Sequence, residues 1–524
     1  MKLGFVSMPL SGHLNPMTAL ARRMQSRGHE AVFLGVPDVE PFAHAAGVGF
    51  VPFGEKEFPV GSIATLYSEV ARRHGLDVVQ HSCRELNPGL IRVGLEYLPA
   101  KLQQTGVEAV VLDTIAFFHE LAPMSLGIPY VHIWNILHVD FSGLTPICFF
   151  SSPHDTTKAG LERNVEALQQ AGALFAPMIA AARPYAEKMG LEIDFSDPGS
   201  TTSKLAIITQ TPREFDFPGA PWPPQFHYAG PFHDDAGREP VSFPWEKLTG
   251  APLIYASLGT LVNGLNHVYG AILRAVEKLP GTQVVLSVGK NLDLDELGAI
   301  PSNVIVVRSA PQIELLKRAT LGITHAGLNT ALESLGQGVP MVAIPIGYDQ
   351  PGVAARIAHH GVGDFMEIDE LTPVGLRGLI QKVMENPSYG EKARSFEEVI
   401  ARTRGLDVAA DVIERALVAG RLALPLREAA QRAQGPTIVG TNSTGAPDRV
   451  SMPDGGRTST RSSCSPPPPA VLLRRPHPRG GCRSRLEVSA WRCARRSART
   501  PNRPSEQENR DADEPEGPPR PRSS

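Results

Sequence analysis

Cysteine is scarce: five in 524 residues, at Cys83, Cys148, Cys464, Cys482 and Cys493. Their wide spacing and odd number exclude a disulfide framework and point to a reducing compartment. Long apolar runs are missing too. No stretch approaches the roughly 18 uncharged apolar residues that span a bilayer. The opening run Leu3–Met8 is cut short by Pro9, which suits a buried strand better than a secretory leader. The chain therefore reads as cytoplasmic. Net charge is small, −3, which argues against capture of nucleic acid or anionic lipid by the molecule as a whole. What is present is core material. Apolar residues make up 42% and charged residues 20%, as in a globular protein, and a length prior of roughly 150 residues per domain suggests two to four domains.

Lysine is absent from residues 441–524, where 16 Arg face 9 acidic residues, giving +7, beside 14 Pro. Such a stretch has too little apolar surface to offset its ordering entropy. We expect a disordered tail over 425–524. Arg, Pro, Ser and Gly without Lys is also what an out-of-frame read of GC-rich sequence gives. A basic arm for RNA or membrane is the competing reading, but Glu506, Glu508, Asp511, Asp513, Glu514 and Glu516 cancel much of its charge locally.

Upstream, short apolar runs alternate with helix-like stretches. Leu3–Ser7, Ala31–Gly35, Ala109–Leu112, Tyr130–Ile133 and Leu205–Thr209 read as strands. Asn15-Pro16 reads as the cap and first position of a helix Met17–Ser26, with Gly28 just past its end. After a Pro/Trp-rich linker the pattern restarts with Leu253–Ser257, Val284–Ser287, Val304–Val307, Gly322–Thr324 and Met341–Ile344. This is βαβ punctuation given twice. It predicts an α/β protein of two facing Rossmann-like halves with parallel sheets, and ligand between them at the carboxyl ends of the strands. The expected boundaries are 1–232 for the first half, 233–248 for the linker, 249–405 for the second half and 406–424 for a closing helix.

Two loops carry chemistry. In Gly12-His13-Leu14-Asn15-Pro16, His13 stands at the mouth of the first sheet, where an imidazole can take a proton near neutral pH. Asp113 follows the fourth apolar run and can fix the tautomer of His13. Taken alone, His13 fits a loop histidine bonded to backbone equally well, and Asp113 fits a helix cap better. The second loop runs from Thr324 through His325-Ala326-Gly327-Leu328 into a helix start at Asn329-Thr330. Free N–H groups and the helix dipole suit a phosphate there. Gly327 lets backbone approach, His325 adds a donor, and Glu333, one turn in, can accept from a ribose diol. Asp349-Gln350 follow the next strand and can bond sugar hydroxyls. Asp293-Leu294-Asp295 has a D-x-D form but lies in a polar run that reads as a solvated loop. His119, His132 and His138 lack ligand spacing. No metal is assigned, and His359-His360 reads as helix surface.

The run His325-x-Gly327-x-Asn329-Thr330-x-x-Glu333, then Gly338-Val339-Pro340, Pro345 and Asp349-Gln350, resembles the nucleotide-sugar signature of family 1 glycosyltransferases. Gly12–Pro16 resembles the same family's catalytic loop. The wording of both the 323–335 and 349–357 stretches is similar to bacterial zeaxanthin (carotenoid) glucosyltransferases. The resemblance spans roughly residues 1–420 and leaves the tail outside. It implies a GT-B type fold and metal-independent, inverting transfer of a hexose, glucose first, from a UDP-sugar to an acceptor hydroxyl. The nucleotide sugar is then a co-substrate, and no cofactor is called for. His13 matches the general base and Asp113 its partner. Ser257, Gly259 and Thr260 match a second phosphate-contacting loop, and Gln312 the residue bonding the base. His325, Gly327, Asn329 and Thr330 match the diphosphate site, Glu333 the ribose contact, and Asp349 with Gln350 the sugar contacts. Ser309 departs from the pattern, since plant members place a base-stacking Trp there, and Arg308 is the substitute at hand. On the acceptor side, Trp134, Phe141, Phe149, Phe150 and the stretch 173–182, with Leu174, Phe175 and Met178, permit an apolar pocket for a lipophilic alcohol. A hydroxylated carotenoid leads, with peripheral membrane contact implied by such an acceptor. A macrolide- or polyphenol-type transferase, a nucleotide-sugar epimerase and an idle sugar-nucleotide binder are the alternatives.

Truncation after about residue 430 is expected to leave melting temperature and activity on a soluble acceptor unchanged, because a chain that buries no apolar area adds no stability. A large loss in a thermal melt would contradict this.

Overall fold

The computed structural model describes residues 1–234, 241–290, 292 and 294–433, with side chains as far as 419. Residues 434–524 of the expected tail, residues 235–240 of the expected linker, and Asp293 lie outside the described residues.

Two sheets carry the molecule, each wholly parallel. The first contains β1 (Lys2–Val6), β2 (Glu30–Gly35), β3 (Gly49–Pro52), β4 (Ala109–Asp113), β5 (Tyr130–Trp134), β6 (Ile207–Thr209) and β7 (Phe226–Tyr228), in the order β3-β2-β1-β4-β5-β6-β7. The second contains β8 (Leu253–Ser257), β9 (Gln283–Ser287), β10 (Val304–Val307), β11 (Ala319–Thr324), β12 (Met341–Ala343) and β13 (Gly363–Phe365), in the order β10-β9-β8-β11-β12-β13. The central strands are apolar on both faces: β4 and β8 are buried at every residue. That is the signature of strands covered by helices on either side. In both sheets the order reverses beside the first strand, β1 between β2 and β4, and β8 between β9 and β11. Loops part there and leave a crevice at the carboxyl ends.

The first helix corrects an expectation. It spans Ser11–Ser26, not Met17–Ser26, so His13 lies in its first turn rather than in a loop, and Pro16 is inside it. The ladder starts at Leu10, whose carbonyl accepts from His13 and Leu14 at 2.9 and 2.8 Å. Asn15 does not cap; its carbonyl accepts from the Thr18 hydroxyl. The helix still ends as expected before Gly28, at φ +88°, where a left-handed residue costs glycine little.

The closing helix spans Gly405–Ala433, so it continues past the expected end at 424 into what was read as tail. Its apolar stripe, Ala409, Ala410, Ile413 and Leu417, is fully buried. Its acidic face meets the end of the first helix. Arg27 donates to Asp411 at 2.6 Å and to Glu414 at 3.0 Å, Arg23 pairs with Asp407, and His29 Nε2 lies 3.1 Å from Glu414. Half-exposed pairs are individually weak, but Arg27 serves three carboxylates at once. Arg27→Ala should therefore cost about 1 kcal/mol in urea unfolding, less in high salt. An unchanged midpoint would show that the apolar stripe alone holds the helix.

Candidate active site

The register of β1 beside β4 pairs Val6 with Leu112, which brings the residues after β1 to the end of β4. Asp113 ends up 1% exposed and collects every donor nearby. Its Oδ2 accepts from Ser7 Oγ at 3.0 Å and from the Met8 N–H at 3.3 Å, and its Oδ1 from the Ile115 N–H at 3.3 Å. His13 Nδ1 lies 2.9 Å from the same Oδ2. Burial would raise the Asp113 carboxyl; the facing imidazole, with the Ile115 N–H and Ser7 hydroxyl, pulls it below its ordinary range. Burial would lower the His13 imidazole, but Asp113, as charge and as hydrogen-bond partner, and more remotely Asp349, raise it above 6.5. With Nδ1–H given to Asp113, Nε2 is the nitrogen left to take a proton. His13 and Asp113, expected as a pair, are thus brought together.

The opposite wall is built by β8, β11 and β12. The helix Leu328–Leu335 starts at Gly327 with no side-chain cap, so its first N–H groups lack a side-chain acceptor. His325 stands over this start, wedged between two glycines. A Cβ on Gly259 would lie 2.6 Å from its Nε2, and one on Gly327 only 2.5 Å. Burial holds the imidazole neutral, its pKa pushed down to about 4 against a smaller opposing pull from the Ser257 backbone. Ala326 adopts φ +64° between them, a strained conformation for a residue with a Cβ.

Ser257, Gly259 and Thr260 form the neighbouring loop. The Gly259 N–H points to Ser257 Oγ at 3.3 Å, and Thr260 Oγ1 lies 3.0 Å from Ser11 Oγ of the first half. Gln312 reaches Glu333 at 2.5 Å and Thr330 at 3.5 Å, so the expected base, ribose and phosphate contacts share one network. Tyr255, which the sequence reading missed, donates to Gln312 Oε1 at 3.0 Å. Arg308 is exposed and gives its guanidinium to the Leu292 carbonyl at 3.1 Å.

Asp349 and Gln350, the cap and first residue of the helix Gln350–His360, are both buried and held from several sides. Asp349 Oδ2 accepts the Leu137 N–H of the first half at 2.9 Å, and burial raises its carboxyl. Gln350 Oε1 accepts the N–H groups of Ile346 and Gly347 at 2.9 and 3.0 Å, leaving its amide nitrogen as the group for a hydroxyl. Tyr348, at φ +54°, pairs its hydroxyl with Ser82 Oγ at 2.8 Å. Neither Leu137 nor Ser82 carried a sequence signal, because each acts only through a contact across the crevice.

The acceptor-side expectations divide. Met178 is core, fully buried, its sulfur facing Asn87 Nδ2 at 3.4 Å, whereas Phe141 is 54% exposed. Phe149 and Phe175 stack at 6.3 Å, and Phe117, missed in the sequence, meets Phe175 edge-on at 5.7 Å. Tyr348 packs on the same cluster. Trp134, Phe150 and Leu174 are half-buried. The histidines outside the crevice are structural. His132 accepts the Ser203 N–H, His119 faces the Ala116 and Phe117 carbonyls, and His138 binds Asp216 at 2.8 Å. His359 is exposed as expected. His360 is not: it is half-buried, its Nε2 donating to the Phe215 carbonyl at 3.1 Å. Among the described residues no cluster of His, Cys, Asp or Glu is placed to hold a metal ion, and no helix is long and apolar enough to cross a membrane.

Two facing parallel sheets, with an acid–base pair on one wall and a glycine-lined helix start on the other, define a GT-B type transferase fold. Known proteins agree. Residues 181–408 match the family model for UDP-glucoronosyl and UDP-glucosyl transferase. The zeaxanthin glucosyltransferase of Pantoea ananas is 26% identical over 421 residues, 79% of this chain and 96% of that protein. The demethyllactenocin mycarosyltransferase of Streptomyces fradiae is 26% identical over 79% of this chain and 86% of its own length. The crystal structure of the glycotransferase of kitacinnamycin superposes with a TM-score of 0.61 at 25% identity, covering 79% of this chain and 99% of that one. The chain is thus similar to family 1 glycosyltransferases, over residues 181–408 by the family model and over 79% of its length by these relatives.

Gly327→Ala isolates the His325 wedge, since Gly327, at φ −61°, holds a backbone conformation open to any residue. The added methyl should displace His325 and weaken UDP about tenfold by calorimetry, roughly 1.4 kcal/mol, with the fold intact. Undiminished affinity would remove His325 from the diphosphate site.

Proposed function

We propose that the enzyme moves glucose from UDP-glucose to a hydroxyl of a lipophilic small molecule, a hydroxylated carotenoid being the leading class, with inversion and without a metal. The observation that carries the reading is the buried 2.9 Å contact between His13 and Asp113, facing the helix start at Leu328. His13 Nε2 takes the acceptor proton as the oxygen forms its bond to the anomeric carbon, and Asp113 stabilises the imidazolium. The bond from that carbon to the diphosphate breaks in the same step, so one in-line displacement inverts the centre. The negative charge released passes to the first N–H groups of Leu328–Leu335 and to His325, the electrostatic work that a metal does in other transferases. Glu333 takes the ribose and Gln312 the base, while Asp349 and Gln350 take the hexose.

The aromatic cluster of Phe117, Phe149 and Phe175 supports an apolar acceptor, and Tyr348 packs against the same buried core as that cluster. The carotenoid class rests on the relative named for zeaxanthin. A macrolide-type acceptor is the second reading, favoured by the mycarosyltransferase relative. We assign a cytoplasmic enzyme, with peripheral membrane contact when the acceptor is dissolved in lipid.

Incubating UDP- and dTDP-sugars with carotenoid, macrolide and flavonoid alcohols, read by mass spectrometry, tests the assignment. UDP-glucose with a carotenoid diol should give the fastest transfer, and a faster macrolide would favour the second reading. With the best pair, His13→Ala should lower kcat by about 10²–10⁴ at near-normal UDP affinity, and a chelator should leave the wild-type rate unchanged. A fully active His13→Ala enzyme, or one silenced by chelation, would contradict the mechanism.

A further inference from the structure

Pro16 sits inside the helix Ser11–Ser26. A residue there ordinarily donates its N–H to the carbonyl four positions earlier, at Gly12. Proline has no N–H to give, and its ring pushes that carbonyl out of line. The Gly12 carbonyl, next to His13, thus lacks the helical donor four residues on. On the other side of the crevice Asn329 lies in the first turn of Leu328–Leu335, and its Nδ2 donates to this Gly12 carbonyl at 2.8 Å. One residue earlier, Ser11 Oγ meets Thr260 Oγ1 of the second phosphate loop at 3.0 Å. Both loops that surround the donor site therefore end on the same turn of the helix that carries the base.

We propose that Pro16 and Asn329 are coupled positioning residues: Asn329 transmits donor occupancy to His13 through the Gly12 carbonyl that Pro16 leaves open. A primary amide has two N–H groups. One of those on Asn329 holds Gly12; the other is the one a phosphate oxygen takes at the helix start. A bound diphosphate then pins Asn329 from both sides and draws the first turn, with His13 on it, against the donor. The enzyme keeps a helix-breaking residue in its base helix because the broken hydrogen bond is reused across the crevice. The inference rests on the donor site proposed above.

Pro16→Ala tests it directly. Alanine restores the N–H and is a good helix former, so the variant folds. In ligand-free protein, Asn329→Ala should lower the melting temperature in the wild-type background and leave that of Pro16→Ala unchanged. Equal losses in both backgrounds overturn the contact. With UDP-glucose, Pro16→Ala should lower kcat about tenfold with donor KM within about twofold. The double variant should be no slower than Asn329→Ala alone, as expected for residues acting through one contact. Wild-type kcat in Pro16→Ala, or multiplied losses in the double variant, overturn the proposal. A wild-type protein that transfers no sugar brings down the donor reading and the coupling with it, while the melting comparison still decides the contact.

Discussion

A carboxylate 1% exposed at the end of a central strand cannot stay ionised alone, and Asp113 is kept so by its partners. Of these, only His13 can carry a compensating charge; the others are neutral donors. The dependence runs both ways, since Asp113 fixes which ring nitrogen of His13 is occupied. Much of the first half follows from placing these two side chains. β1 and β4 must be neighbours in register, the chain must turn into a helix straight after β1, and that helix must start early enough to put residue 13 in its first turn.

The second half is arranged to meet that turn. Its loop at 346–349 is clasped by three parts of the first half: the Gly75 N–H bonds the Ile346 carbonyl at 2.6 Å, Ser82 holds Tyr348, and Leu137 holds Asp349. The helix Gln350–His360 is anchored further along, where Arg356 donates to Asp216 Oδ1 at 2.7 Å while His138 and Tyr228 hold Oδ2. Against the cost of burial, His138, Arg356 and Tyr228 together hold that carboxylate far below its ordinary range. Such a buried pair adds little net stability but resists any shift that would strand one charge. It fixes the helix that begins with Gln350, and so the groups expected to read the hexose.

Sequence reasoning succeeded where one strand or one loop carried its own signal. Ten apolar runs became strands: nine are interior strands covered by helices, and the tenth, β10, is an edge strand whose four residues are all apolar. The three it missed, β3, β7 and β13, all lie at sheet edges, where half-buried residues such as Phe226–Tyr228 show no continuous apolar run. The start of the first helix was misplaced for a definite reason. Pro is common at the first helical position, and that preference outweighed what an interior Pro16 does here, which is to surrender a carbonyl to Asn329. Tyr255, Leu137 and Ser82 were illegible because their roles exist only after strands or halves are brought together. Phe117 was passed over and Met178 overrated for the same reason: which side of a helix or loop meets the crevice is decided by packing, not by spacing.

The pH dependence of transfer tests the His13–Asp113 pair most directly. A base must be neutral to act, and the pair raises the His13 pKa above 6.5. The rate should therefore rise with pH through a single limb lying above 6.5. Asp113→Asn removes the charge that raises it and leaves burial, which lowers it, so the limb should move to lower pH while the maximum rate falls. A limb that stays in place in Asp113→Asn, or a wild-type enzyme at full rate at pH 5, would contradict the assignment of His13 as the base.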